Sequence, residues 1–230
     1  MRIAKYIANS GICSRRNAEK LIIEKKVLIN GILCIHPSQK VSEKDQIFVN
    51  KKEIKLQKKI RLWKMYKPVK IICTNHDPQK RRTVFSLIPK SFPRLISIGR
   101  LDFMSEGLLL FTNNGDFARN CELPSSNILR VYRVCINGKI DASDLNKINQ
   151  GMNINDISYD KVKVKIEKIS DPYTWLIFKM KEGKNREIRK ICDFFLWNIV
   201  NLVRIQFGSI RLTKQKPGEI IEIDKFKSTL

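Results

Sequence analysis

From Leu62 onwards the sequence is built from short apolar runs separated by basic and polar residues. The runs are RLWKMY, VKIICT, RLISIG, GLLLFT, RVYRVCI, KVKVKIEKI, TWLIFKM and IVNLVRIQFG. Most are typical of strands, and helical patterns occur in DFARNCEL, DASDLNKINQG and NREIRKICDFFLW. Because strands and helices do not alternate regularly, we predict an α+β domain with a mixed, mostly antiparallel sheet.

The N-terminal part has a different pattern. Residues 2–9, RIAKYIAN, place apolar side chains on one helical face, and Ser10-Gly11 is a helix stop. Ser14 is a predicted N-cap for a second helix in SRRNAEKLIIEKK. Asn30-Gly31 predicts a tight hairpin, and DQIFVNKKEIKL continues the alternating pattern. We therefore predict a small domain of two helices and a small sheet over residues 1–58, and a second domain over residues 62–228.

The charge of the chain points to a polyanionic partner. There are 45 Lys and Arg residues against 22 Asp and Glu residues, and the net charge is +23. A Lys bias can also come from an AT-rich genome, so the positions of Arg, which suits phosphate better, are more informative. Arg15 and Arg16 lie in the first turn of the second helix, where anions are preferred. Either they bind an anion there or they form an ordinary solvated face.

Three segments contain candidates for chemistry. Asp102 lies in RLDFMSEG, a loop between two predicted strands, and the alternative to a functional role is a turn residue that pairs with Arg100. The segment EGKNREIRK places basic side chains on a helix with a buried side, where they suit phosphates or a carboxylate. Tyr132 lies in a predicted strand and by itself is more typical of a core. The Asn113-Asn114-Gly115 sequence after GLLLFT predicts a hairpin turn.

Several classes of protein are disfavoured. The six Cys and two His residues lack metal-ligand spacing, so reduced, mostly buried thiols are expected. There is no Walker A loop, no GxGxxG motif and no internal repeat. No apolar run approaches the roughly twenty residues of a transmembrane helix, so we expect a cytoplasmic protein without membrane contact.

Residues 1–55 resemble the S4 RNA-binding domain. The similarity lies in the pattern RIAKxIAxxGxxSRRxAExLI followed by an alternating segment that ends in Asn-Gly. The resemblance implies that Arg15, Arg16, Lys20 and the hairpin edge near Asn30 bind an RNA backbone.

The region from Lys67 to Phe207 resembles the pseudouridine synthases. The similarity rests on GRLD, on RVYRV and on EGKNREIRK, and the block GRLD-x5-LLLxTNxG is very specific. It is greatest with the branch that acts on ribosomal RNA and has an attached S4 domain. Within this branch, KPVKIICTNHDPQKRRTVF and LVRIQFG are most similar to the large-subunit type B enzymes.

The resemblance implies roles for single residues. Asp102 is the expected catalytic aspartate, Tyr132 the aromatic residue of the second motif, and Arg189 the basic residue that pairs with Asp102. Arg81 or Arg82 is expected to contact RNA around the target base. The complete set of predicted RNA-binding residues is Arg15, Arg16, Lys20, Arg81, Arg82, Arg100, Lys184, Arg186, Lys190 and Arg204.

The expected reaction is the isomerisation of a uridine in ribosomal RNA to pseudouridine, which needs no metal and no cofactor. Large-subunit RNA or its assembly intermediate is the expected partner of a monomeric enzyme. Three alternatives remain: the same reaction on small-subunit RNA, a non-catalytic ribosome-assembly factor, and a glycosidase with Asp102 and Glu106 as its carboxylate pair.

Overall fold

The computed structural model describes residues 1–57, 59–154, 157–159, 161–224 and 226. The chain divides into two compact units. The first comprises Met1–Arg61, Lys90–Ile96 and Thr112–Phe117, and the second comprises Leu62–Pro89, Ser97–Phe111 and Ala118–Leu230. The predicted domain ends at positions 58 and 228 lie outside the described residues. Because two short segments of the predicted second domain belong to the first unit, a boundary near residue 60 stays a prediction.

The first unit contains two helices and a small antiparallel sheet, as predicted. The helices are α1 (Ile3–Asn9) and α2 (Arg15–Ile23). The strands are β1 (Val27–Ile29), β2 (Ile32–Leu33), β3 (Ile47–Val49) and β4 (Lys52–Ile54), and their order in the sheet is β2-β1-β3-β4. The core is formed by apolar residues that include Ile3, Ile7, Ile22, Val27 and Ile47.

Local sequence signals explain the ends of these elements. The Asn17 N–H donates to Ser14 Oγ at 3.2 Å, which confirms the predicted N-cap of α2. Asn30 and Gly31 have φ values of 51° and 80°, as the predicted hairpin between β1 and β2 requires. Asn50 and Lys51 form a second such turn between β3 and β4, with φ values of 49° and 65°, which the sequence alone did not indicate.

A nine-stranded sheet dominates the rest of the chain, and its main order is β11-β12-β8-β13-β7-β5-β15. Its strands are β5 (Leu62–Lys67), β6 (Ile96–Ile98), β7 (Glu106–Thr112), β8 (Arg130–Asn137), β11 (Lys163–Ser170), β12 (Tyr173–Met180), β13 (Asn198–Phe207), β14 (Ile210–Arg211) and β15 (Ile220–Glu222). β6 pairs with β7, and β14 with β13. Between β8 and β11 the chain forms a separate pair, β9 (Met152–Ile154) and β10 (Ile157–Tyr159).

The strand directions confirm the predicted mixed, mostly antiparallel sheet. β13 pairs in parallel with β7 and antiparallel with β8. The pairs β11/β12, β12/β8 and β15/β5 are antiparallel. Three helices accompany these strands: α3 (Gly115–Glu122), α4 (Ala142–Gln150) and α5 (Glu187–Phe194). Two short 3-10 helices occupy Val84–Leu87 and Pro124–Ser126.

The core beside α4 and α5 contains residues from both helices and from the strands. Ile148 of α4 and Ile191 of α5 are fully or almost fully buried together with Val134, Leu176 and Phe178 of the sheet. The alternating apolar residues of the strands and the apolar face of α5 therefore fix the position of the basic face of that helix.

Two expectations from the sequence are wrong. Asn113-Asn114-Gly115 does not turn into a hairpin, because Gly115 begins α3 and Asn114 Oδ1 accepts the Phe117 N–H at 2.8 Å. Asn suits a helix N-cap as well as a turn, so the pattern was ambiguous. The run VKIICT does not form a strand either, and its backbone makes an isolated bridge between Ile72 and Thr83.

In the part of the chain that the structure describes, no helix is long and apolar enough to span a membrane.

Gly107 marks a close contact between the two parallel strands. Its φ is +102°, and it lies opposite Arg204 of β13. An added Cβ would press against the Arg204 carbonyl oxygen and lie 2.8 Å from the Arg204 nitrogen. A glycine is therefore required at this position by both conformation and space.

We expect Gly107→Ala to lower the free energy of unfolding by about 3 kcal/mol or more, since a backbone clash adds to the conformational strain. Gly138→Ala is the matched control, because Gly138 has a φ of +108° but no atom within 4 Å of the added Cβ. Its loss should stay near 1–2 kcal/mol. Urea denaturation of both variants measures the difference, and equal losses would contradict the close-contact explanation.

Candidate active site

Asp102 lies in the loop between β6 and β7, and neighbouring groups fix the backbone of that loop. The Gly99 N–H donates to Glu122 Oε1 at 2.8 Å, and the Leu101 N–H donates to Cys73 Sγ at 3.4 Å. The Ser105 N–H donates to the Asp102 carbonyl oxygen at 3.0 Å. The loop is thus held on both sides of the carboxylate.

Lys67 also holds the backbone of the loop that carries Asp102. It is the last residue of β5, it is 0% exposed, and its Nζ donates to the carbonyl oxygens of Ser105 at 2.7 Å and Pro68 at 2.8 Å. Burial lowers the pKa of Lys67 to about 8, although nearby Cys73, Asp102 and Glu106 act in the opposite direction. Sequence reasoning assigned no role to Lys67, and its place at the start of the KPVKII segment was the available signal.

Arg189 of α5 contacts both the loop and the carboxylate. Its Nη2 donates to the Met104 carbonyl oxygen at 2.9 Å and to Ser105 Oγ at 3.1 Å. Its Nε lies 3.7 Å from Asp102 Oδ2, which is an ion-pair distance, and this buried Nε has no hydrogen-bond partner within the described part of the chain. The Arg189 side chain is 13% exposed and that of Asp102 is 37% exposed. Arg189 is therefore oriented by the loop backbone and leaves the Asp102 carboxylate accessible.

The environment of Arg189 affects its proton affinity. Burial, followed by the neighbouring charge of Arg186, lowers the pKa of Arg189, and Asp102 opposes that shift. A guanidinium remains charged at any physiological pH. Asp102 thus has a permanent positive charge beside it in a partly dry site.

Asp102, Tyr132 and Arg189 line one open cavity of about 100 Å³. Its apolar walls come from Leu101, Met180, Ile188 and Leu202, and Arg100, Lys184 and Arg186 also line it. An aromatic ring and apolar side chains, together with the Asp102 carboxylate and the Arg189 guanidinium, suit a planar polar ring. The structure thus brings together the three residues predicted for catalysis, which are distant in sequence.

Most predicted RNA-binding residues of the second unit lie around this cavity. Arg81 lines a wider cavity of about 650 Å³ that also contains Asp102 and Arg100. Arg186 is the left-handed N-cap of α5, with a φ of 53°. Lys184 Nζ donates to the Ser158 carbonyl oxygen at 2.6 Å and lies 3.2 Å from Glu182 Oε2. Lys184 is therefore held at a defined position at the mouth of the cavity.

Three predicted residues lie elsewhere. Arg82 is exposed and lines neither of these cavities. Lys190 lines a separate cavity with Tyr159 and Asp193. Arg204 is 2% exposed, and its Nε donates to the Leu108 carbonyl oxygen at 2.7 Å, so this side chain links β13 to β7. A buried guanidinium of this kind favours a structural role over a direct RNA contact.

The predicted residues of the first unit are exposed on α2. Arg15 Nη2 lies 3.4 Å from Asp116 Oδ1, and Lys5 Nζ lies 2.7 Å from Asp116 Oδ2. Arg16 and Lys20 are also exposed. All three predicted cations of α2 are thus accessible to a large polyanion.

Glu106 does not form a catalytic pair with Asp102. Its Oε1 accepts the Asn201 Nδ2–H at 2.6 Å, and its Oε2 accepts the Tyr66 hydroxyl at 3.2 Å. It lines neither cavity that contains Asp102. The glycosidase alternative therefore lacks its second carboxylate.

The six cysteines are free, and four of them are buried. Among the residues that the structure describes, no three His, Cys, Asp or Glu side chains are grouped as around a metal ion. The absence of a metal or cofactor from the reaction stays a prediction.

Comparisons with known proteins agree with the geometry. A family model described as RNA pseudouridylate synthase matches residues 61–193, and an S4 domain model matches residues 1–47. The chain belongs to the RNA pseudouridylate synthase family. An uncharacterized RNA pseudouridine synthase of Rickettsia felis is 46% identical to this synthase over 97% of this chain and 96% of that protein.

A further relative and a solved structure are also similar to this synthase. The ribosomal large subunit pseudouridine synthase B of Buchnera aphidicola is 34% identical over 95% of this chain and 88% of that protein. A crystal structure of a pseudouridylate synthase covers 97% of this chain and 96% of its own, with a TM-score of 0.67 at 22% identity, and so has the same fold. The predicted S4 domain, fold class and RNA pseudouridine synthase family are thereby confirmed, and the roles of single residues stay predictions.

The buried Lys67 predicts a specific pH dependence of stability in this synthase. The folded pKa is about 8, and that of an unfolded lysine is about 10.4. Between these values the unfolded state binds more protons, so the contribution of Lys67 to stability rises with pH. Relative to Lys67→Met, the unfolding free energy of the wild type should rise by about 2 kcal/mol between pH 7 and pH 9.5.

Chemical denaturation of both proteins at the two pH values measures this difference. Cys73 interacts electrostatically with Lys67, so both proteins also carry Cys73→Ala, and the titration of the other cysteines then cancels in the comparison. If this difference stays constant or falls with pH, the pKa of Lys67 is not lowered in the folded protein.

Proposed function

We propose that this synthase converts a specific uridine of large-subunit 23S ribosomal RNA to pseudouridine, with Asp102 as its catalytic carboxylate. The observation that carries the proposal is the shared cavity of Asp102, Tyr132 and Arg189. The choice of large-subunit RNA is supported by the printed name of the Buchnera relative.

The chemistry requires a single carboxylate at a fixed place. The bond between ribose C1′ and uracil N1 breaks, the base turns, and C1′ joins uracil C5. N1 gains a proton and C5 loses one, so nothing is oxidised or hydrolysed. Asp102 serves either as the nucleophile on C1′ or as the base that leads to a glycal. Either route uses the carboxylate as an anion, and the guanidinium of Arg189 places a positive charge 3.7 Å from it.

The remaining lining residues orient the substrate. The target uracil has to leave the RNA stack to reach the cavity, at a cost of roughly a few kcal/mol. Tyr132 stacks on the flipped uracil between the apolar walls of the cavity. Arg100 and Arg186 at its mouth bind the adjoining phosphates, and Arg81 or Arg82 holds the RNA around the vacated position.

The S4 domain supplies much of the affinity through Arg15, Arg16 and Lys20 on α2. The substrate is free ribosomal RNA or an assembling subunit in the cytoplasm. A single chain is sufficient, because all three proposed catalytic residues come from one chain. If pseudouridine mapping with and without the gene shows the missing modification in 16S RNA, the reaction stands and the target is corrected. If no modification is missing, a non-catalytic assembly factor is the better explanation.

Asp102→Asn should lower pseudouridine formation by at least about a thousand-fold, because an amide can act neither as nucleophile nor as base. Affinity for the RNA should change less than about three-fold, because phosphate contacts dominate binding. Single-turnover modification assays and filter binding measure the two quantities.

Asp144→Asn is the matched control, because Asp144 pairs with Lys147 on the surface of α4 at 3.1 Å. It should modify RNA at the wild-type rate. Substantial turnover by Asp102→Asn would remove the proposed role of Asp102.

Arg16→Ala should reduce the slope of log K against log salt concentration by about 0.9, the value for one lost phosphate contact. Arg16 is preferred to Arg15 because Arg15 already pairs with Asp116. Lys147→Ala removes a surface cation that pairs with Asp144, and it should leave the slope unchanged. Titrations with a 23S RNA fragment test this, and equal slopes for Arg16→Ala and wild type would exclude a phosphate contact by Arg16.

A further inference from the structure

Phe103, directly after Asp102, exposes an aromatic side chain beside the candidate active site. It is 38% exposed and lines the wider cavity of about 650 Å³ together with Asp102 and Arg81. Single exposed apolar residues are common on protein surfaces. Phe103 differs from such residues because it lines a cavity that contains Asp102, the proposed catalytic carboxylate.

The exposure of Phe103 does not come from a loose loop. Its carbonyl oxygen accepts the Lys70 N–H at 2.7 Å. The carbonyl oxygen of the next residue, Met104, accepts Arg189 Nη2 at 2.9 Å, and that of Ser105 accepts Lys67 Nζ at 2.7 Å. The ring is therefore presented to solvent by a backbone that is fixed on three successive residues, which lowers the entropy cost of binding to it.

A fixed cation lies over one face of this ring and leaves the opposite face as the one for stacking. The centre of the Arg81 guanidinium lies 6.0 Å from the centroid of the Phe103 ring. Arg81 is held in turn by Asp77, with Nε to Oδ2 at 3.0 Å and Nη2 to Oδ1 at 2.8 Å. An aromatic face next to a guanidinium suits the two ends of a nucleotide, its base and its phosphate.

The two cavities that contain Asp102 have different aromatic residues. Tyr132 lines the small cavity and not the wide one, whereas Phe103 lines the wide cavity and not the small one. Arg100, Leu101, Lys184 and Arg186 line both. A flipped uracil next to Tyr132 would thus be continuous with a second binding position next to Phe103.

We propose that Phe103 is a stacking platform for an unpaired nucleobase adjacent to the target uridine, with Arg81 contacting the phosphate of that nucleotide. The proposal rests on the proposed function and extends its substrate from one flipped base to a short unpaired segment. Stacking accepts any base, so Phe103 selects unpaired RNA without reading its sequence. It is a positioning residue, because it acts on the neighbour of the reacting nucleotide.

The test combines protein variants with an altered RNA. The substrate is an RNA fragment that contains the uridine identified by mapping, either intact or with an abasic site at one of the two flanking positions. At one flanking position, the abasic site should lower kcat/KM of the wild type about ten-fold or more. Phe103→Ala should show a similar loss on intact RNA and no further loss on the abasic RNA. Phe103→Trp should retain the intact-RNA rate, and Phe103→Leu should not.

Tyr173→Ala is the matched control, because Tyr173 is an aromatic residue of similar exposure, 40%, at the start of β12. It lines neither cavity and should keep the full effect of the abasic site. A second readout that needs no turnover is the fluorescence of 2-aminopurine at the same flanking position. It should be quenched on binding to Asp102→Asn and not on binding to Asp102→Asn with Phe103→Ala.

The outcomes separate the two proposals. If the wild type modifies no uridine of ribosomal RNA, the proposed function fails. If the wild type modifies its RNA but the losses from Phe103→Ala and from each abasic site multiply independently, the stacking platform is excluded and the proposed function stands. An unchanged rate for Phe103→Ala would exclude it as well.

Discussion

The fixed position of Asp102 depends on two cations that bind the backbone of its loop, the buried Lys67 and the partly buried Arg189. Lys67 donates to the Ser105 carbonyl oxygen, and Arg189 donates to the Met104 carbonyl oxygen and to Ser105 Oγ. A carboxylate on a mobile loop would have to be ordered during each reaction, at an entropic cost. Here the order exists before any substrate binds, because Lys67 and Arg189 hold the loop through hydrogen bonds within the protein.

The same two cations also place positive charge near the Asp102 carboxylate, in a protein whose surface attracts phosphates. With a net charge of +23, the surface attracts phosphates, which would disfavour a second negative charge nearby. Lys67 and Arg189 counter this from the protein side, and burial reduces their own proton affinity. Removing Lys67 and Arg189 from water costs folding free energy. In return, positive charge is placed near the Asp102 carboxylate.

The sequence predicted the elements better than it predicted the surroundings of the site. Ser14 as a helix cap and Asn30-Gly31 as a hairpin are local signals that act through their own backbone, so they could be read directly. Asn114 was misassigned because its side chain suits both a turn and a helix cap. Lys67 and Arg204 look like surface cations in the sequence, and their burial depends on strands that are distant along the chain. Lys190 has helical spacing from Arg186, but Arg186 lies outside the helix in a left-handed conformation, and Lys190 lines a different cavity.

The parallel pairing of β7 and β13 has a consequence for how this site tolerates change. The Asp102 loop leads into β7 and α5 leads into β13, so parallel strands bring both approaches to the same end of the sheet. The proximity of the Asp102 carboxylate and the Arg189 guanidinium is thus set by strand direction. It does not depend on the number of residues between them. Insertions between β8 and β12 can accumulate at the far edge of the sheet while Asp102 and Arg189 keep their relative positions. Substrate preference can therefore diverge in that region without disturbing the reaction.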